Sequence, residues 1–264
     1  MSDQSAVMAP RAGTIAPVQV SVGTSFLTLA RWSLASIGAM LPLIIVIQAA
    51  LAAGIVIGFG FLIPGITPES ALFLSSGAPT ILLLTIGLVI VPQGVSRARA
   101  SGELDYQRAL PVSRPLLLLV DLMVWILIAL PGVAIGLVVA WLRYDVAFTF
   151  DWPLLILVSI LVTAMATSVG YAIAVALPAM LAQLLSQVLV FFVMLFSPIT
   201  FPASQLPEWF RSLHAVLPIQ PAADLLRAGV AAEAFPADGR DLLVLASWTA
   251  LGLVVTFLAL VRRK

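Results

Sequence analysis

The chain has 264 residues and a formal net charge of +1; 62% of the residues are hydrophobic and only 9% are charged, against a soluble norm of roughly 45–50% and 25%. Folding in water would expose too much apolar surface, so the composition excludes a soluble globular protein and makes the bilayer the solvent. The absence of cysteine excludes disulfides and thiolate metal sites, and no polar segment approaches the ~50 residues an independent soluble domain needs.

Residues 1–20, with Pro10, Gly13 and Pro17 and no early apolar core, read as a disordered tail rather than a signal peptide. Residues 21–37 read as an interfacial helix, with Thr24, Thr28, Arg31 and Ala35 on one face and Phe26, Leu27, Ala30, Leu34 and Ile37 on the other. The same spacing also suits a simple extension of the first span. Six apolar runs follow, at about 41–63, 71–95, 116–141, 153–176, 182–200 and 242–261, each near the ~20 residues needed to cross ~30 Å of hydrocarbon. Residues 21–264 are therefore expected to form one all-α integral membrane domain. Pro42, Pro79, Pro92, Pro131 and Pro198 each remove a backbone donor and offer kinks. Gly54 with Gly58, and Gly132 with Gly136, are spaced for close helix approach.

The stretch RARASGELDYQRALPVSR (97–114) concentrates six charges between two spans whose flanks hold only Asp121. An even number of spans puts both termini on one side, and positively charged loops are retained in the cytoplasm. Cytoplasmic termini place nine Lys and Arg residues inside and leave Arg143, Arg211, Arg227 and Arg240 outside. Asp121 lies about five residues into the third span, hence roughly 8 Å deep at 1.5 Å per residue. It suits an interfacial ion pair better than a proton relay.

The segment 197–229 leaves the fifth span through Pro198 and Pro202, starts a short helix at Pro207 with Glu208 in its first turn, and begins another near Pro221. Phe210, Leu213 and Leu217 form its apolar stripe. Two short amphipathic helices returning toward the outer leaflet, at 201–229, explain this better than a plain loop.

Catalytic chemistry is scarce. His214 is the single histidine, which leaves no histidine-rich metal site or His-based relay within the spans. Lys264 is the single lysine, which excludes a Walker A loop with its phosphate-contacting lysine. Any ATP-driven motor must then lie on another polypeptide.

The two unusual segments together resemble the permease subunits of the type 2 ATP-binding-cassette exporters. A charged loop of the form R-x-x-G-x-L-(x)n-L-P-V-S-R is matched by Arg99, Gly102, Leu104, Leu110, Pro111, Val112, Ser113 and Arg114. A proline-broken segment after the fifth span is matched by Ser197, Pro198, Phe201, Pro202, Leu206, Pro207 and Trp209, and a P-(x)n-L-R-A-G stretch by Pro221, Leu226, Arg227, Ala228 and Gly229.

The resemblance implies a homodimer or pseudo-dimer of permeases whose 97–114 loop docks as a coupling helix on a separate ATPase subunit, which binds the ATP and magnesium; no cofactor is expected on this chain. The docking residues would be Arg97, Arg99, Glu103, Asp105, Arg108 and Arg114, and the extracellular cap would be built on Pro202, Pro207, Glu208, Trp209, Phe210 and Leu213. It also implies a prokaryotic plasma membrane and outward movement of a hydrophobic or amphipathic molecule. Thr163, Thr167, Gln187, Ser197 and Thr200 are the candidate pathway-lining groups; the spans lack a ring of charge, which argues against inorganic ions. An ion-coupled carrier using Asp121 and a non-transporting scaffold or sensor that recruits a partner through 97–114 remain open alternatives.

Overall fold

Each long apolar run closes its backbone hydrogen bonds within itself, as hydrocarbon requires, and the result in the computed structural model is a bundle built entirely of helices. The structure describes residues 21–103, 106 and 112–262; the expected N-terminal tail lies outside these residues. Helix α1 spans Val22–Gly38 and is capped by the Ser21 hydroxyl. A turn at Ala39–Met40 separates it from α2. Its inner face buries Leu29, Ala30 and Ser33 and half-buries Phe26, Leu34 and Ile37, while Leu27 is exposed.

Six helices are long and apolar enough to cross a membrane: α2 (Leu41–Leu62), α3 (Pro68–Ala100), α4 (Pro115–Tyr144, with Arg114 opening it), α5 (Trp152–Ala176), α6 (Ala179–Phe196) and α9 (Gly239–Leu258, continuing to Arg262). Between α6 and α9 lie a 3-10 turn at Ala203–Gln205 and two short α-helices, α7 (Glu208–His214) and α8 (Ile219–Val230). Two spans depart from expectation at boundaries that matter for the site. The fifth span stops at Phe196 rather than 200, because Pro198 cannot extend the ladder beyond the Ser197 cap. The second span starts at Pro68, under a Thr67 cap, and runs to Ala100, so Arg97 and Arg99 belong to a helix and not to a loop. Pro79, Pro92 and Pro131 sit inside helices, Pro92 just after the π turn at Ile86–Ile90, whereas Pro42 occupies a first-turn position.

The core forms around α3 and α5. In the most apolar window of each, 83% and 67% of the residues are buried, against 33% or less for the other four spans. Lipid tails are as apolar as leucine, so such a core is held by close packing of small residues. Gly87, in a π turn at Ile86–Ile90, and Gly170 supply that closeness: a Cβ on Gly170 would overlap the Gly87 carbonyl and meet the Pro92 ring at 3.0 Å, and one on Gly87 would meet the Thr167 nitrogen at 2.6 Å. Of the spaced glycine pairs, Gly132 lies against Gln48 of α2 and Gly136 against Leu82 of α3, but Gly54 and Gly58 have no neighbour within 4 Å of a built Cβ.

Gly170→Ala should therefore cost about 1–3 kcal/mol or more, since the obstacle is backbone rather than a movable side chain. Gly54→Ala should be neutral or slightly stabilising through helix propensity. Thermal melts of the detergent-purified variants check both outcomes.

Candidate functional site

The connections gather at two ends. One end holds the α1–α2 turn, the described residues 100–103, 106 and 112–114, and the two-residue α5–α6 corner. There α3 ends in Arg97 and Arg99, both exposed. Arg99 Nη1 donates to the Ala174 carbonyl at 2.6 Å and to the Leu177 carbonyl at 3.1 Å. These are among the last acceptors of α5, which have no partner within their own helix, and a cation is favoured there. Arg97 Nη1 lies 3.4 Å from Met40 Sδ. Tyr106 reaches back to α1, its ring 6.3 Å from that of Trp32. Asp105, Arg108 and the side chain of Arg114 lie outside the described residues.

Between α1, α2, α3 and α4 at this end is a half-open cavity of about 610 Å³. Its walls include Ile37, Met40, Ile44, Ile90 and Trp125, and its charged groups are Arg97, Glu103 and Asp121. Asp121 therefore faces this cavity, and among the described residues it makes no hydrogen bond or ion pair.

The opposite end is knotted together by α8. Gly229 lets the α8 backbone rest on α5, where a Cβ would lie 2.9 Å from Leu155 Cα. The α4–α5 loop pairs with its C-terminus, Thr149 donating to the Val230 carbonyl at 3.2 Å and accepting from Ala232 at 2.8 Å. Trp248 of α9 donates to the Val216 carbonyl at 2.9 Å. At the centre sits Arg227, only 1% exposed. Its Nη1 donates to Asp224 Oδ1 at 2.7 Å, its Nη2 donates to the Ile199 and Pro198 carbonyls, and its guanidinium lies 3.8 Å from the Phe73 ring centre. One side chain thus joins α8, α3 and the break after α6. Burial lowers the Arg227 pKa to about 10 although Asp224 opposes the shift, and burial raises that of Asp224 although Arg227 opposes it. Desolvation outweighs the pairing on both partners.

Of the expected cap residues, Pro202, Pro207, Glu208, Trp209 and Leu213 are exposed and Phe210 is half-buried. The apolar stripe departs from expectation. Leu213 faces outward, while His214 is fully buried with its ring edge-on to Phe210, 4.6 Å between centres. Positions 210, 214 and 217 follow the 4-then-3 spacing of a helix face as well as 210, 213 and 217 do, so the histidine takes the inner place assigned to the leucine.

The polar groups within the spans divide. Thr163 is buried and donates to its own helix at the Ser159 carbonyl, 2.7 Å away. Thr167 and Ser197 are buried with no partner for their hydroxyls among the described residues. Thr200 lines a second cavity of about 570 Å³ with Glu69, Phe73, Phe201 and Gln205. Gln187 is on the exposed face of α6. Sequence reasoning missed Gln48, whose amide donates to the Ile128 carbonyl at 3.0 Å and joins α2 to α4. A lone amide amid apolar residues was the available signal.

Six apolar helices around a helical core define a multi-pass membrane protein. The chain belongs to the ABC-2 type transporter family, whose model matches residues 24–230, more than half of its length. No curated protein matches it. It is a membrane permease subunit, a transport component and not itself a catalyst, and the family implies an ABC ATPase as partner.

Arg227→Met should destabilise the fold by about 3 kcal/mol, because it removes the donor to the Ile199 carbonyl and leaves the buried Asp224 without its cation; Arg227→Lys, which cannot span both, should restore little, and thermal melts in detergent measure each. Burial, partly offset by the Phe196 carbonyl, lowers the His214 pKa below its ordinary 6.5. As pH falls below 6.5 the unfolded chain takes up a proton that the folded chain refuses, so stability drops. The drop in melting temperature between about pH 7.5 and about pH 5.5 should shrink in His214→Leu.

Proposed function

We propose that the chain is the permease of an ABC exporter that moves a hydrophobic or amphipathic molecule (a drug, a lipid or a lipid-linked compound) outward across a prokaryotic plasma membrane. A separate ATPase subunit supplies the motor and holds ATP and magnesium. The observation that carries this reading is the family match over 24–230 together with the charged stretch 97–114 between the second and third spans. Cytoplasmic termini follow from the arginine count and put that stretch beside the motor.

In this reading the coupling segment has two parts. Arg99 fixes the end of α3 to α5, and the residues beyond Ser101, with Asp105, Arg108 and Arg114, meet the ATPase through charge-assisted contacts. The second permease copy packs against the outward apolar side of α6, where Leu181, Leu184, Val188, Phe191 and Leu195 are exposed. The 201–229 segment is then a partly re-entrant cap on the outer side, closing the pathway above the dimer seam. The short, uncharged α5–α6 corner at Leu177–Pro178 offers the motor little beyond backbone.

Arg108→Glu with Arg114→Glu should reduce ATPase retained in a pull-down by about tenfold or more, the loss expected for reversed charges at an interface. Cysteine placed at Glu208 should still react with an impermeant reagent from outside, which shows that insertion is intact. Full ATPase retention by the inserted variant would overturn the coupling assignment. Transport in vesicles that requires ATP and the motor, and persists without a pH gradient, separates the exporter from an ion-coupled carrier and from a scaffold.

A further inference from the structure

The cavity beside the end of α3 is lined by charged groups that have no charged partner among the described residues. Asp121 faces it from α4 and Glu103 from the segment after α3, without a hydrogen bond or ion pair to a described residue. Arg97, at the edge of the same cavity, has a thioether as its one hydrogen-bond partner among the described residues. A carboxylate and a guanidinium that share a largely apolar hollow without pairing invite a ligand that bears both complementary charges. A simple amine would leave Arg97 unanswered. A simple anion would meet two carboxylates. The remaining walls, Ile37, Ile44, Ile90 and Trp125, call for hydrocarbon, and the exposed Met40, Leu43 and Ile47 extend that apolar surface along the outside of α1–α2. The cavity lies among the end of α1, the start of α2, the end of α3 and the first turns of α4, where the apolar spans give way to charged residues.

We propose that this cavity is a binding site for a zwitterionic aminophospholipid, with its phosphate on Arg97, its primary ammonium on Asp121 and Glu103, and the start of an acyl chain against Ile44, Ile90 and Trp125. A volume of about 610 Å³, roughly twenty water volumes of ~30 Å³, holds the headgroup and the first chain carbons; the rest of the lipid lies along α2. A primary ammonium donates three hydrogen bonds, as a lysine does, whereas a choline donates none, so the site selects ethanolamine lipids. The site is internal to one chain and does not rest on the direction of transport or on the motor.

The test uses the full chain reconstituted with equimolar phosphatidylethanolamine and phosphatidylglycerol, stripped by detergent exchange, with the retained lipid measured by mass spectrometry. The wild type should keep about one phosphatidylethanolamine per chain and prefer it to phosphatidylglycerol by about fivefold, the worth of ~1 kcal/mol. Asp121→Asn should erase the preference, and Arg97→Gln should lower retention of both lipids. If Asp121→Asn fails to fold, Glu103→Gln reads the same preference from the rim. Gly94→Leu then fills the hollow, since a Cβ there stands 3.4 Å from the Trp125 ring, and should expel both lipids. Equal retention of the two lipids by the wild type, unchanged preference in the folded carboxylate variants, or retention intact in Gly94→Leu would overturn the proposal. So would dodecylamine displacing the lipid equally well from Arg97→Gln and wild type, which marks a site for a cation alone.

Discussion

The bundle depends on one approach of two backbones, at Gly87 and Gly170. Inside a bilayer no hydrophobic force distinguishes a neighbouring helix from a lipid tail, so helices must gain by fitting more closely than lipid can. The two glycines allow that fit because nothing stands between the Gly87 carbonyl and the Gly170 α carbon. Once α3 and α5 are so joined, the other spans arrange themselves around the pair. Thr249 and Thr256 of α9 donate to the Leu161 and Ser168 carbonyls of α5, and Gln48 fastens α2 to α4.

The far end obeys a second constraint, that freed backbone acceptors need donors. Proline after α6 stops the helix and leaves the Pro198 and Ile199 carbonyls facing inward. Arg227 meets them from α8, and its charge is balanced by Asp224 one turn earlier and by the face of Phe73. An arginine suits this place because its planar fork reaches several acceptors at once. The same logic appears where the π turn at Gly54–Gly58 presents the Val56 carbonyl, to which Tyr144 donates at 2.9 Å. Gly60 makes room for that phenol.

The spans were legible because length and hydropathy report directly on the bilayer. The family resemblance was legible in the order of the proline-broken and charged motifs. The roles of individual charges were not. Counting Arg227 with the outer loop charges treats it as solvated, yet Ala223 and Val230, four before and three after it, mark an apolar face that could have warned of burial. Arg99 belongs by composition to a charged loop, and its acceptors lie 75 and 78 residues away, a separation that no local pattern reveals. His214 was misplaced by one position, since residues three and four apart share a helix face. Gly87 and Gly170 stand on different helices, and pairs spaced along one helix drew attention away from them.

Arg99 gives the molecule a mechanical asymmetry. Its two hydrogen bonds tie the end of α3 to the end of α5 at the α5–α6 corner, whereas α1 and α2 meet through a simple turn. A push delivered just beyond Ser101 would be felt at the α5–α6 corner without first passing through the core. At the other end of α6 the chain is gripped again, through Ile199. The fifth span thus has a side-chain tie beside each of its ends and, between them, a flank of exposed Leu181, Leu184, Val188, Phe191 and Leu195, so its contacts within the chain are concentrated at its ends and on its inner face.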